Sequence, residues 1–385
     1  MNCSLFFEKI DSLYDFYVSV WQDVCNIESP SYYKEGVDAV SSYFAELSKG
    51  KGWDIERFSQ EKFGDVLMIT MNKESEKAPI VLSGHLDTVH QLGLFGYPPT
   101  RIEGGEIYGP GVTDCKGGVV AGFLAMHALH ECGYKDHPVI MLLQSNEEVG
   151  SGLENKASIR YMCEKSKDAL AFLNLEGHGS DTRGKVCIKR KGIAGFLFKV
   201  KGIAAHGSRP EKGASAILEA SHKITELYKV KNEGETTFSV GLINGGSARN
   251  TVAAECEFQL DVRFADNSEL ESSKKIIEKI SDTVYVKGCS CEVVMTNYRP
   301  AMEITQKNLD LLDRANKSLR ENGMTELEGK SSTGGSDASD LTLFGVPTLD
   351  ALGTEGGSLH SVREHGTLSS LKSAAKTLVA IITAF

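Results

Sequence analysis

Ile80, Val81 and Leu82 form a short apolar run that ends at Ser83-Gly84, the pattern of a strand buried in a parallel sheet. A strand of this kind calls for an α/β layer around it, and the other segments have to supply that layer. His85 and Asp87 follow at once, within I-V-L-S-G-H-L-D-T-V-H at Ile80–His90. Two residues apart on extended backbone, they point to the same side. A histidine able to bind metal therefore sits beside a carboxylate able to hold its other ring nitrogen. Taken alone, a His-x-Asp pair is more often structural than ligating.

The flanking segments supply the layer. Apolar residues recur at helical spacing over 5–26 and 31–49, the second helix opening at Ser29-Pro30-Ser31 and closing near Gly50. Strands are expected at 53–59, 64–71 and 79–84, a helix at 116–132, a strand at Val139–Leu143, a helix at 155–165 and a strand at Ala169–Leu175. From Gly184 the pattern changes to a strand at 193–203, a helix at 212–228, strands at 236–244 and 252–264, a helix at 268–287 and a strand at 290–297. That order, β-α-β-β-α-β, is the ferredoxin-like unit. After Arg299-Pro300 come helices at 306–321 and 336–344, a strand at 347–351 and a helix at 367–384. The expected architecture is an α/β domain with a largely parallel sheet, residues 1–186 and 299–385, interrupted by an inserted ferredoxin-like α+β domain at 187–298. No internal repeat or low-complexity segment interrupts it.

Composition narrows the function classes. A length of 385 residues suits two domains, and 41% hydrophobic with 24% charged residues is ordinary for a globular protein. A net charge of -10 without a basic stripe argues against a nucleic-acid partner. The nine scattered cysteines include no C-x-x-C pair, which fits reduced thiols in a cytoplasm. The N-terminal stretch mixes acids into its apolar positions and reads as a helix, with no signal peptide. No apolar run approaches the roughly 20 residues that cross a bilayer, so no membrane partner is expected.

Further candidate ligands lie in loops. Asp114, in the glycine-rich G-P-G-V-T-D-C-K-G-G, precedes the helix near Lys116, and taken alone it reads first as a cap of that helix. Glu147 and Glu148, in Q-S-N-E-E-V-G-S-G, follow the strand at Val139–Leu143. Neighbouring carboxylates in a bend point in different directions, so one can bind metal while the other handles a proton; a solvated acidic loop is the plain alternative. Glu176 ends another strand, and His360 lies in the late G-G-S-L-H-S. Ligands in an open α/β sheet gather at the C-terminal ends of strands, where four of the five candidate segments place them, and Asp114 precedes a helix on the same side. Histidine, aspartate and glutamate without cysteine make a nitrogen–oxygen set suited to zinc, cobalt or manganese.

Together, H-L-D-T-V, G-x-x-D-x-K-G-G, N-E-E-x-G-S and the late histidine resemble the dizinc metallopeptidases that include glutamate carboxypeptidase (carboxypeptidase G), succinyl-diaminopimelate desuccinylase, acetylornithine deacetylase, peptidase T and aminoacylase. The resemblance spans nearly the whole chain. It implies two divalent ions, zinc above all. His85 and Glu176 would bind one ion, Glu148 and His360 the other, and Asp114 would bridge both. Asp87 then orients His85, and Glu147 serves as general base and acid. A cis peptide at Asp114-Cys115 is also implied. Cys115 departs from the residues expected there and is read as tolerated, not as a nucleophile.

The inserted segment adds a second set by resemblance. His206, in G-I-A-A-H-G-S-R-P, is similar to a family histidine that reaches into the partner subunit's site to stabilise an oxyanion, although a polar helix start would look the same. Asn250 and Arg299 resemble substrate-contact residues, Arg299 as a clamp for a substrate carboxylate. Gly334 and Gly335 would present backbone groups to the ligand and equally suit a turn before a helix. Lys189, Arg190 and Lys191 read as a solvated strand end, and His90, His127, His130, His137, His178, His222 and His365 as surface or packing residues. The expected protein is a homodimeric metal-dependent amide hydrolase. Its first reading is a carboxypeptidase releasing a glutamate-like C-terminal residue from a peptide or N-acyl conjugate. An N-acyl-amino-acid deacylase, a di- or tripeptidase and a non-catalytic binding scaffold are the alternatives. Retention of Glu147 with all five expected ligands argues against the scaffold.

Overall fold

The computed structural model describes residues 2–151, 156–230 and 235–385. They form two compact units. One comprises the chain up to Lys189 with Ile304–Ser332 and Ser336–Phe385, and the other Arg190–Glu303 with Thr333–Gly335.

The first unit opens with helices α1 (Ser4–Asn26) and α2 (Lys34–Lys49) and strands β1 (Asp54–Phe58), β2 (Val66–Met71) and β3 (Ile80–His85). Helix α3 (Lys116–Glu131) leads to β4 (Val139–Gln144), and helix α4 (Ala157–Ser166) to β5 (Ala171–Asn174). The start expected for α4 at 155 lies outside the described residues. These strands and Thr348–Leu349 make a six-stranded sheet in the order β1, β2, β4, β3, β5, Thr348–Leu349. β3 runs parallel to β4 and β5, as Thr348–Leu349 does to β5. Only the β1–β2 and β2–β4 pairs are antiparallel, so the sheet is mostly parallel.

All six residues of β3 are buried, because both faces of the sheet carry a core. Ile80 and Leu82 join Met141 and Leu143 with α1, α3 and the C-terminal helix Leu368–Ile382 on one side. Val81 joins Ile140, Leu142, Phe172 and residues of α4 on the other. This explains an apolar run without alternation. Helix α3 is buried almost all round, which fits its uniformly apolar character. Its Lys116 is buried as well, and Nζ donates to the carbonyls of Val24 at 3.1 Å and Ile27 at 2.8 Å, tying the start of α3 to the end of α1.

Glycine lets α3 come this close to the sheet. A Cβ at Gly118 would stand 1.8 Å from the carbonyl oxygen of Leu175, just beyond β5. Gly118→Ala is therefore expected to cost about 1–3 kcal/mol, the range for overpacking. The midpoint of denaturant unfolding measures it; an unchanged midpoint contradicts the close approach.

In the second unit a four-stranded antiparallel sheet has the order Thr237–Gly245, Glu255–Phe264, Gly192–Lys201, Ser290–Arg299. Helices Ala216–Lys229 and Asn267–Asp282 complete the β-α-β-β-α-β succession. Alternate residues of the central strands, among them Phe196, Phe198, Phe258, Leu260 and Val262, are buried with Leu270 and Ile277 of the second helix. That helix stops at Asp282, short of the expected 287.

The structure corrects one reading and adds elements the sequence did not announce. Arg190 is buried, not a solvated strand end: its backbone pairs with Met302 and its Nη1 donates to the Gly334 carbonyl at 3.1 Å. Short strands Arg101–Glu103, Glu106–Tyr108, Gly356–Gly357 and His365–Thr367 form a small antiparallel sheet. Strands of two or three residues have no room for a period-2 pattern. Among the described residues, no helix is long and apolar enough to cross a membrane.

Candidate metal centre

Parallel strands deliver most of the site from their C-terminal ends. His85 is the last residue of β3, Glu176 follows the end of β5, and Glu147–Val149 form a single 3-10 turn after β4. Asp114 lies just before α3, and His360 lies between the two short strands Gly356–Gly357 and His365–Thr367. The five side chains converge. His85 Nε2 is 3.0 Å from Asp114 Oδ1 and 3.7 Å from Glu176 Oε1. His360 Nε2 is 3.1 Å from Asp114 Oδ2 and 3.5 Å from Glu148 Oε2. Asp114 thus presents one oxygen to each imidazole, with one glutamate beside each. The Asp114–Cys115 peptide is cis.

Asp87 is fully buried beneath this cluster. Its Oδ1 accepts the Glu147 N–H at 3.0 Å, and its Oδ2 accepts the Glu148 N–H at 3.2 Å and the Ser31 hydroxyl at 2.6 Å. His85 Nδ1 lies 3.0 Å from the backbone oxygen of Asp87 and 3.4 Å from its Oδ1. The imidazole therefore rests mainly on main chain, while the carboxylate grips the turn that carries both glutamates. Ser31 was not anticipated. It stands beside the site because Ser29–Ser31 runs along residues 86–88, with Ser31 N–H to the Thr88 carbonyl and Thr88 N–H to the Ser29 carbonyl.

The electrostatics show what such a cluster requires. Burial pushes the Glu148 carboxyl up to about 7, against a hydrogen bond from His360 that lowers it. Burial likewise holds Glu176 well above the usual carboxylate range. Burial also disfavours the Asp114 carboxylate, yet hydrogen bonds from His360 and His85 outweigh it and hold that group below the usual range. Hydrogen bonds to Asp114 and Glu148 raise His360 to about 10. Carboxylates this closely packed need positive charge, which divalent cations supply. The donors fit them: atoms of His85, Asp114 and Glu148 lie within 4.8 Å of one another, as do those of His85, Cys115 and Glu176. Cys115 is buried with Sγ 3.3 Å from the Leu175 carbonyl, and burial pushes its thiol well up, so it is no ready nucleophile.

A pH signature follows for metal-free protein. Folding raises the affinity of Glu148 and His360 for their protons, from ordinary values of 4.5 and 6.5 to about 7 and about 10. Their contribution to stability is complete below the unfolded values and is lost as pH rises through the folded ones. Metal binding needs deprotonated donors, so its stabilisation grows over the same range. The gap in melting temperature between zinc-loaded and chelator-treated protein is thus expected to widen between about pH 5 and pH 10. A constant gap contradicts it.

A family model described as Peptidase family M20/M25/M40 matches residues 81–384. The chain belongs to this family. Among its M20 relatives, carboxypeptidase G2 of Pseudomonas sp. (strain RS-16) is 26% identical over 348 residues, covering 89% of this chain and 83% of that protein. Acetylornithine deacetylase of Proteus mirabilis is 28% identical over 199 residues, 48% of this chain and 49% of that protein. An M20 family metallo-carboxypeptidase from Sulfolobus solfataricus superposes with a TM-score of 0.76 at 17% identity, covering 95% of this chain and 98% of that one. A dinuclear metal binding peptidase of the M20 family from Bacillus subtilis gives 0.71 at 15% identity, covering 97% and 98%. These superpositions establish the shared fold, and family membership makes the chain a metallopeptidase by class.

The remaining expected site residues belong to the second unit. His206 is exposed, with Nδ1 2.8 Å from the Ser208 hydroxyl, and pairs through its backbone with Thr251; the Gly207 N–H donates to the Asn250 carbonyl at 2.7 Å. The turns bearing His206 and Asn250 are therefore neighbours. Arg299 is buried at the end of its strand, and a Cβ at Gly335 would stand 2.8 Å from its Cδ.

Proposed function

We propose that the chain is a metal-dependent carboxypeptidase that releases a C-terminal, glutamate-like amino acid from a peptide or N-acyl conjugate. The observation that carries the hydrolytic part is the pair of adjacent glutamates whose backbone N–H groups are both held by Asp87. Glu148 turns to His360 and the metal donors, and proton transfer is assigned to Glu147 beside it. The carboxypeptidase part rests on likeness to carboxypeptidase G2 over 89% of this chain, against 48% for the deacetylase.

In this reading His85 and Glu176 would hold one divalent ion and Glu148 and His360 the other, with Asp114 shared between them. Zinc is the expected metal, with cobalt or manganese as substitutes. Bound ions of this kind acidify a water and polarise an amide carbonyl. Glu147 takes the proton from the attacking water and returns it to the amide nitrogen as the carbon–nitrogen bond breaks. Arg299 clamps the substrate carboxylate, and Asn250 and the backbone of Gly334 and Gly335 complete the contacts. His206 stabilises the oxyanion across a homodimer formed by the second unit. The nine cysteines are all free, which supports a reducing, cytoplasmic setting.

A hydrolysis panel of N-acetyl, N-succinyl, folate-like and dipeptide substrates, run with added zinc or cobalt, tests this reading. Release of glutamate from the folate-like conjugate is expected to lead. Preference for N-acetyl or N-succinyl amino acids replaces the reading with the deacylase, and silence across the panel sinks both. His206→Ala is expected to lower turnover at unchanged metal content; a strictly monomeric, active protein removes the cross-subunit role.

A further inference from the structure

Glu364 stands immediately before the short strand His365–Thr367 and is 1% exposed. Its Oε1 accepts the backbone N–H of Thr113 at 2.9 Å and of Asp114 at 3.1 Å. Its Oε2 accepts the Gly111 N–H at 3.2 Å and lies 2.7 Å from Nε2 of His90. A carboxylate has about four acceptor positions, and here each has a donor. His90, expected at the surface or in simple packing, is buried, with its ring edge-on to Phe95 at 4.8 Å between centroids. A further bond fastens the same stretch, from the Thr113 hydroxyl to the His365 carbonyl at 2.6 Å.

Three of these donors, the N–H groups of Gly111, Thr113 and Asp114, belong to one loop, the loop from which the Asp114 side chain projects between His85 and His360. Gly111 sits at φ 73°, and α3 begins without a side-chain cap. Without Glu364, three buried N–H groups would lose their acceptor, at about 1–3 kcal/mol each. The loop would then relax to find other partners. A buried charge is weak evidence for stability as such, and its better-attested use is to fix one arrangement among several. Asp87 does the same for the turn of Glu147 and Glu148. Each of these two ligand-bearing segments therefore rests on a buried carboxylate that receives its backbone.

We propose that Glu364, held in turn by His90, is a positioning residue that sets the Asp114 carboxylate at the spacing needed to bind metal. The proposal rests on the reading of Asp114 as a metal ligand. Outer-shell partners of this kind typically govern about 10–100-fold in metal affinity.

The test is Co2+ titration of the full chain, followed by visible absorption and by competition with a chelator. It compares wild type with Glu364→Ala, Glu364→Gln, His90→Ala and Leu378→Ala, the last in the apolar core away from the site. Glu364→Ala is expected to bind Co2+ about 10–100-fold more weakly with an altered absorption band. Glu364→Gln keeps an oxygen for Thr113 and Asp114 and is expected to fall between. Leu378→Ala, though destabilised, is expected to bind as wild type does. Wild-type affinity in Glu364→Ala overturns the proposal, and so does equal weakening in Leu378→Ala, which would leave Glu364 a purely structural role. Should Glu364→Ala not fold, Glu364→Gln and His90→Ala decide: weakening of several-fold supports the proposal, and wild-type affinity in both overturns it. A wild-type protein that takes up no Co2+ removes the metal-site reading, and this inference with it.

Discussion

Replacing Glu147 with glutamine is expected to lower turnover by about three to four orders of magnitude while the metal content stays that of wild type. Positioned acid–base groups contribute up to about 10⁴-fold, and here one group is assigned both the uptake and the return of the proton. The geometry explains why metal should survive. Asp87 holds residue 147 by its backbone N–H, which the substitution keeps, and the donors His85, Asp114, Glu148, Glu176 and His360 are untouched. The decisive measurement pairs kcat with metal analysis on the same preparation. Retained turnover at full metal occupancy removes Glu147 as the proton carrier, and lost metal shifts its role to the ligand set.

Asp114→Asn is expected to do the opposite, emptying the centre before any effect on proton transfer arises. Among the described residues, Asp114 is the one carboxylate within hydrogen-bond distance of both imidazoles, at 3.0 and 3.1 Å. Removing its charge withdraws a ligand from both ions in the bridged reading. The loss of metal affinity is expected to exceed the roughly 100-fold that outer-shell partners reach. In metal-free protein it also removes the negative charge behind the hydrogen bond that most raises His360, so that imidazole titrates lower. Chelator competition and the titration of His360 by NMR check the two halves separately. Full metal uptake by the variant contradicts the bridging role.

Much of this was legible in the chain because the informative contacts are local or periodic. The unbroken run Ile80–Leu82 signals burial on both faces, and both faces carry a core. The ferredoxin-like succession shows in the alternation of strands such as Glu255–Phe264, which buries every second residue. His85, Asp114, Glu148 and Glu176 were legible because each ends, follows or precedes a regular element whose end is easy to locate, whereas His360 lies between two short strands without such a signal and was read from its motif. What stayed hidden depends on pairings that sequence cannot place. Ser31 reaches Asp87 across 56 positions and His90 reaches Glu364 across 274, and neither pair has a periodic signal. Arg190 looked solvated because its neighbours are lysines. Its burial is decided by Met302 and Gly334, far away in sequence. Asp87 was expected to orient His85, and its carboxylate turns out to spend most of its bonds on the 147–148 turn.

The distance between Asp114 and His360, 246 positions apart in the chain, has a consequence for biosynthesis. Synthesis proceeds from the N-terminus at about 5–20 residues per second. His85, Asp114, Glu148 and Glu176 all leave the ribosome while His360 and Glu364 are still untranslated. During that interval the segment around Asp114 is made without His360 and without the Glu364 carboxylate that accepts the N–H groups of Gly111, Thr113 and Asp114 in the folded chain. In the proposed reading of the ligands, the metal centre can therefore be completed only after the C-terminal segment has been made.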